Sequence, residues 1–156
     1  MKTIVDKKSF GVAILHYITA GVLLAIGIFL CISAFYGNLL QFENTENDLS
    51  TGIGNAFVAV FALIFLLCTF AGIVIAIPAY IVSGCKLLAK AQGKTLSKAS
   101  LIITLIIKTV AFVAILFTTI FMFEIENGLV AAILHILMLA FILVSSVLEV
   151  WARKGN

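Results

Sequence analysis

Four lysine, glutamate or histidine side chains, which can carry a charge or move a proton, lie within long apolar segments of this sequence. They are a lysine, a glutamate and two histidines: Lys108, Glu149, His16 and His135. An ionised lysine inside the hydrocarbon costs at least about 2.5 kcal/mol, so such residues usually pair with one another or mark a functional site. Lys108 is therefore the first candidate for a functional residue.

The direction of side chains along a helix predicts which groups reach Lys108. Side chains tilt toward the N-terminus of their own helix, so those of two antiparallel helices tilt in opposite directions along the membrane normal. In an antiparallel bundle Lys108 and Glu149 therefore lean toward each other, with His16 at a similar depth. Ser145 and Ser146 lie between them in depth. We predict that these five residues form one intramembrane polar cluster.

The sequence leaves three interpretations of Lys108 open. The lysine can extend along its apolar stem to the membrane surface. It can form a structural ion pair that fixes the register of the helices. It can also line the path of a ligand or ion, or bind an acidic residue of a partner.

The segments that carry these residues are typical of membrane-spanning helices. The chain has 156 residues, 63% hydrophobic and 11% charged, with a mean hydropathy of +1.27. In a water-soluble domain roughly 45–50% of the residues are apolar and about 25% are charged. A span needs about 20 apolar residues, and four such runs cover about 10–36, 53–82, 99–123 and 129–150. We predict an all-α, antiparallel four-helix transmembrane bundle forming a single domain over 1–156.

The distribution of basic residues predicts the orientation of the bundle. The connections 37–52 and 124–128 contain neither lysine nor arginine. Nine of the ten basic residues fall at the other side of the predicted membrane: Lys2, Lys7, Lys8, Lys86, Lys90, Lys94, Lys98, Arg153 and Lys154. The positive-inside rule then places both termini in the cytoplasm. We expect a multi-pass protein of the plasma (inner) membrane.

The basic connection between the second and third segments has helical features of its own. Lys86, Lys90 and Lys94 recur every four residues, which predicts an amphipathic extension of the second helix along the membrane surface. Gly93 is a suitable residue to end that extension. Ser97 is a suitable N-cap for the third helix, because its hydroxyl can accept a bond from a backbone N–H.

Small and polar residues predict the faces on which the helices pack, because membrane helices associate through close backbone approach. The second segment carries the stripe Cys68, Gly72, Ala76, Ala79 and Ser83. The first carries a looser stripe, Ala13, Tyr17, Ala20, Gly21, Leu24, Gly27, Cys31 and Ala34. The third has Ser100, Thr104, Lys108, Ala111, Ile115 and Thr118 on one face. The fourth has His135, Ile142, Ser145, Ser146 and Glu149.

Two short stretches resemble known families. The segment KLLAKAQGKTLSKAS, residues 86–100, resembles the central loop of an uncharacterised family of small four-helix bacterial membrane proteins. Leu87-Leu88, Gly93-Lys94 and Ser97 carry the resemblance, which implies the bundle fold but no activity. The segment LHYITAG, residues 15–21, resembles the first-helix haem motif of bacterial four-helix b-type cytochromes. That resemblance implies His16 as an axial ligand.

The sequence favours a protein that works by contact rather than by catalysis. It contains no H-E-x-x-H motif, no glycine-rich phosphate loop and no nucleophile–base pair. We expect no enzyme activity, no cofactor and no nucleic-acid partner, but contact with membrane lipids and with another membrane protein or a second copy. The first interpretation is an accessory or regulatory subunit, or an immunity-type protein. The alternatives are a small oligomeric transporter or channel subunit with Lys108 in its path, and a haem or quinone electron carrier.

Overall fold

The computed structural model describes residues 5–35, 49–122 and 129–154, with side chains except at 34, 35, 49–59, 62 and 154. Within these ranges the chain forms four α-helices and no strand: α1 (Lys7–Phe35), α2 (Leu49–Ala91), α3 (Lys98–Met122) and α4 (Leu129–Lys154). Each contains a stretch long and apolar enough to cross a membrane. The predicted all-α architecture of four membrane-spanning helices is confirmed.

α2 differs most from its predicted bounds of 53–82. It begins at Leu49, continues through Pro78 and ends at Ala91, a length of 43 residues. At 1.5 Å per residue it is about 65 Å long, roughly twice the hydrocarbon thickness. Residues 49–52 of the predicted loop 37–52 are thus helical. The rest of that loop up to 48, the loop 124–128 and the predicted helix ends at 36 and 123 lie outside the described residues.

The C-terminal extension of α2 is helical, as predicted, and it packs against the bundle. Leu87 is fully buried and packs in one cluster with Val12, Ala13 and Ala152. The carbonyl of Ala91 accepts hydrogen bonds from the backbone just before α1. The apolar side of the extension therefore contacts α1 and α4, and its position at the membrane surface stays a prediction.

The end of α2 is a Schellman motif built on Gly93. This glycine has φ +87°, in the left-handed region that costs other residues about 1–2 kcal/mol. The Gly93 N–H donates to the carbonyl of Lys90 over 2.8 Å, and the Lys94 N–H donates to that of Ala89 over 3.1 Å. The chain turns here, so Lys94 no longer continues the helical face that carries Lys90.

Side chains cap the first turns of α1 and α3. The Ser97 hydroxyl accepts a bond from the Ser100 N–H over 3.2 Å, so the predicted cap of α3 is confirmed. At α1, Asp6 accepts the N–H groups of Lys8 and Ser9 at 3.0 and 3.3 Å, and the Ser9 hydroxyl at 2.6 Å. These bonds, chiefly the one from the Ser9 hydroxyl, lower the pKa of Asp6 below its ordinary value.

The helices pack in a ring in which α1 contacts α2 and α4, and α3 contacts α2 and α4. The face predicted for α3 is confirmed, because Thr104, Lys108, Ala111, Ile115 and Thr118 are all buried. The face predicted for α1 was partly wrong. Tyr17, Gly21 and Leu24 are exposed, whereas the core includes side chains outside the predicted stripe: His16, Thr19, Leu23, Ile26 and Leu30.

The starts of α1 and α3 and the ends of α2 and α4 meet at one end of the bundle. Lys86 donates to the Ser100 hydroxyl over 2.5 Å, and Lys90 donates to the Ala152 carbonyl over 2.7 Å. We call this the basic end of the bundle, defined by Lys7, Lys8, Lys86, Lys90, Lys94, Lys98 and Arg153.

Candidate functional site

Lys108, Glu149 and His16 meet inside the bundle, each from a different helix. The Lys108 Nζ lies 2.5 Å from the Glu149 Oε2 and 3.0 Å from the His16 Nε2. The same Nε2 lies 3.2 Å from the Glu149 Oε2. Lys108 is 1% exposed, and the other two side chains are fully buried. The interior therefore contains a closed charged cluster that links α1, α3 and α4.

The hydrogen-bond partners define where the protons in this cluster belong. The His16 Nδ1 is 2.8 Å from the Val12 carbonyl, which can only accept, so Nδ1 carries a proton. In a neutral ring Nε2 is then an acceptor. The Lys108 ammonium can donate to both His16 Nε2 and Glu149 Oε2, and the Tyr80 ring lies 4.4 Å from the same nitrogen. All three N–H bonds of the ammonium thus have a partner or an aromatic face nearby.

Arg153 completes the cluster on the side of the basic end. Its Nη2 donates to the Glu149 Oε1 over 2.6 Å, one helical turn along α4. Lys108 and Arg153 therefore place two positive charges against one carboxylate, and each binds a different oxygen of it. With the His16 ring neutral, these three groups together have one more positive than negative charge.

The predicted serines lie near the cluster without contacting its charged groups. The Ser145 hydroxyl donates to the Phe141 carbonyl over 2.6 Å, within its own helix. Ser146 lies 3.2 Å from the Tyr80 hydroxyl, which itself donates to the Ile142 carbonyl over 3.1 Å. Tyr80 of α2 therefore connects to α4 on one side and covers the charged cluster with its ring on the other.

His135 belongs to a second, uncharged network elsewhere along α4. Its Nδ1 lies 2.6 Å from the Ala131 carbonyl, and its Nε2 lies 3.0 Å from the Thr69 hydroxyl. The Thr69 oxygen lies 3.0 Å from the Thr118 hydroxyl. With the His135 ring neutral, Nε2 is an acceptor, and the single proton of the Thr69 hydroxyl can go to it, to the Thr118 oxygen or to the Phe65 carbonyl. The Thr118 hydroxyl donates to the Ile115 carbonyl over 2.8 Å. This network links α2, α3 and α4.

The two histidines are therefore held in separate networks, and neither presents an unused ring nitrogen. Each Nδ1 is bound to the carbonyl four residues earlier. Each Nε2 lies within hydrogen-bond distance of a donor, Lys108 or Thr69. Among the described residues no group of three or more His, Cys, Asp or Glu side chains is placed to bind a metal. The histidine geometry does not fit the axial ligation that the cytochrome resemblance implies for His16.

The packing stripe predicted on α2 lies mostly inside the bundle. Gly72, Ala76, Ala79 and Ser83 are buried, whereas Cys68 is only half-buried. A Cβ atom on Gly72 would lie 3.4 Å from the Ile115 Cγ1 atom and 3.5 Å from the Ala111 carbonyl oxygen of α3. Most of the stripe thus serves contacts within this chain, and it does not form an open surface for a partner.

Sequence reasoning did not identify Arg153, Tyr80, Thr69 and Thr118 as members of these networks. Two signals were present. Arg153 is one helical turn after Glu149, the spacing of a helical ion pair. The tetrapeptide AILH occurs twice, at 13–16 and 132–135, and in both copies the histidine bonds the carbonyl four residues earlier. Nothing in the local sequence distinguishes the two threonines from others on helix surfaces.

Comparison with known proteins gives no match to a family model, to a curated protein or to a solved structure. The resemblance of residues 86–100 to the small four-helix bacterial proteins therefore stays a prediction. The four apolar helices fit a small integral membrane protein.

Proposed function

We propose that this chain is a small, non-enzymatic membrane protein that acts through lateral contact with another membrane protein. It would serve as an accessory or regulatory subunit, or as an immunity-type protein. One observation supports this proposal above all: the ionisable side chains inside the bundle contact one another. Lys108 and His16 contact one oxygen of Glu149, and Arg153 contacts the other.

A closed cluster of this kind suits a structural role. Breaking a buried ion pair by removing one partner is strongly unfavourable, so the pair resists any movement of α3 against α4. A fully satisfied polar network also makes one arrangement of helices more favourable than others. The bundle then offers a fixed outer surface, which on α3 is formed by Ile103, Ile106, Val110, Val113 and Phe117, all exposed. That surface suits lipid or the helix of a partner.

Co-purification from native membranes in mild detergent tests the proposal. Mass spectrometry should detect a membrane protein in stoichiometric amount after cross-linking. A variant with all three charges of the cluster removed, Lys108→Met/Glu149→Leu/Arg153→Met, should keep that partner, because the cluster supports the fold and not the contact surface. Recovery of the chain alone, or only as a homo-oligomer, would contradict the contact proposal.

One feature favours a second candidate, a transporter or channel subunit. Arg153 lines an open groove at the basic end and also binds Glu149, so the buried cluster begins one side chain away from that groove. Proton flux into vesicles containing the purified protein, followed with a pH-sensitive dye, tests this candidate. For a transporter or channel, we expect Lys108→Gln to abolish proton flux in a folded protein, whereas Lys86→Gln should leave the flux intact. Equal flux in empty vesicles would eliminate it.

We also propose that the protein resides in the plasma (inner) membrane with its basic end in the cytoplasm. The support is the concentration of basic residues at one end of the bundle, which the positive-inside rule associates with the cytoplasmic side. A reporter that is active only in the cytoplasm, fused to the C-terminus, should be active. A reporter that is active only outside should be silent, and the reverse pattern would overturn the orientation.

A further inference from the structure

A groove of about 1130 Å³ opens at the basic end of the bundle. It lies between the starts of α1 and α3, the segment 93–97 and the end of α4. Six cationic residues line it: Lys7, Lys8, Lys90, Lys94, Lys98 and Arg153. Asp6 is the one acidic residue among its lining, and its oxygens are already bonded to Lys8 and Ser9. The groove is therefore strongly positive.

Arg153 lines the groove and has hydrogen-bond donors that no described residue satisfies. Its side chain is only 7% exposed, and Nη2 is bound to Glu149. The buried Nε and Nη1 have no hydrogen-bond partner among the described residues. Leaving a buried charged donor unpaired is costly. Two N–H donors of Arg153 therefore lack an acceptor, and a negatively charged acceptor fits best, because Arg153 and Lys108 share a single carboxylate.

The other cations are placed so that they reinforce the same position. Lys90 is fixed by its bond to the Ala152 carbonyl, and Lys8 lies over the Trp151 ring at 4.8 Å. Lys94 and Lys98 are exposed at the open side of the groove. Lys98 is also the first residue of α3, and the N-terminus of a helix favours an anion.

The position of the groove identifies the kind of anion. It lies where the candidate membrane-spanning stretches begin and end, at Lys7, Ala91, Lys98 and Arg153. If these stretches span the hydrocarbon core, their ends reach the headgroup region. Apolar residues also line it, including Leu101 and Ile102, and Ile102 faces outward on α3. A ligand that carries a phosphate and an acyl chain can contact the cations and these apolar side chains together.

We propose that this groove binds the phosphate group of an anionic membrane lipid. Nε and Nη1 of Arg153 donate to the phosphate oxygens, Lys94 and Lys98 approach the phosphate from the open side, and an acyl chain runs along Leu101 and Ile102. Arginine suits this role because charge-assisted bonds to phosphate are stronger than neutral ones. Each lysine adds attraction to an anionic headgroup.

Native mass spectrometry of the full chain in neutral detergent tests the proposal, with phosphatidylglycerol and phosphatidylcholine as competing lipids. One phosphatidylglycerol should bind per chain, at least about tenfold more tightly than phosphatidylcholine. Arg153→Gln should weaken binding by about tenfold, and the double variant Lys94→Gln/Lys98→Gln should weaken it by a similar factor or more. Lys86→Gln is the matched control, because Lys86 lies at the same end but does not line the groove, and it should leave binding unchanged.

Other outcomes overturn the proposal. Equal binding of the two lipids would eliminate a specific anion site. An equal loss of phosphatidylglycerol binding in Lys86→Gln and in the double lysine variant would show that binding depends only on general surface charge. In thermal unfolding, inorganic phosphate alone should stabilise the protein far less than phosphatidylglycerol does. Equal stabilisation by phosphate and by phosphatidylglycerol would assign the site to a free anion and overturn the proposal of a lipid site. Arg153→Gln also removes a bond to Glu149. If the Arg153→Gln protein does not fold, the double lysine variant tests the proposal in its place.

Discussion

Lys108 on α3 donates a hydrogen bond to Glu149 on α4 over 2.5 Å, at a place where neither side chain is more than 1% exposed. The two residues are 41 positions apart in sequence, so their contact exists only because the helices are antiparallel and in this register. The His16 ring contacts both of them from α1. These three residues thus link three helices.

The stability of the bundle should depend on the three charged residues as a unit. Glu149→Leu leaves the buried Lys108 ammonium and Arg153 guanidinium without the carboxylate that both bind, and we expect a loss of about 3–5 kcal/mol in the free energy of unfolding. Lys108→Met/Glu149→Leu/Arg153→Met removes all three charges and should be within about 1 kcal/mol of the wild type. Unfolding in mixed detergent micelles measures both variants. Equal losses in the single and triple variants would show that the charged residues do not act as a unit.

The uncharged network around His135 should contribute less than the charged cluster. Thr69→Val removes the donor to His135 Nε2 and should cost about 1 kcal/mol, the order found for hydrogen bonds between membrane helices. Thr119→Val is the matched control. Thr119 is also buried, but its hydroxyl donates to the Ile115 carbonyl of its own helix, so its loss should change stability little. Equal unfolding midpoints for the two variants would argue against the bond between helices.

The turn at Gly93 should tolerate no side chain without cost. Gly93→Ala keeps a positive φ with a Cβ atom present, and we expect a loss of about 1–2 kcal/mol. Gly21→Ala makes the same chemical change within α1, where a Cβ atom would meet nothing within 4 Å. That variant should be unchanged or up to about 1 kcal/mol more stable, because alanine favours the helix. Thermal unfolding of both proteins in detergent checks the contrast.

The N-cap of α1 should give a pH dependence in the acidic range. The hydrogen bonds to Asp6 lower its pKa from the ordinary value of 3.8, so the ionised form stabilises the folded state. That contribution is complete above the ordinary pKa and disappears as the pH falls through the lower value of the folded state. Asp6→Asn retains a capping oxygen but cannot titrate, so the stability difference between the two proteins should shrink below about pH 3.8. A difference that stays constant down to about pH 2 would refute this role.

Most of the fold followed from the sequence because membrane helices obey strong local rules. Four apolar runs predicted four helices, and Gly93 and Ser97 marked an end and a start that the structure confirms. The inward face of α3 was also predictable, since Thr104, Lys108 and Thr118 are polar in an apolar helix. The inward face of α1 was not. Its small residues suggested one side, whereas the core needed the volume of Leu23 and Leu30.

The sequence by itself determined the number and kind of helices, and it marked Lys108 as a residue that needs a partner. These conclusions depend on two local quantities, which are the hydropathy of each segment and the free-energy cost of a charge in hydrocarbon. Only the tertiary structure decided that Arg153 binds the second oxygen of Glu149, that Tyr80 covers the cluster, and that Thr69 bonds His135. Those contacts depend on the register and rotation of helices far apart in the chain. Packing of whole side chains sets both, and no local pattern records them.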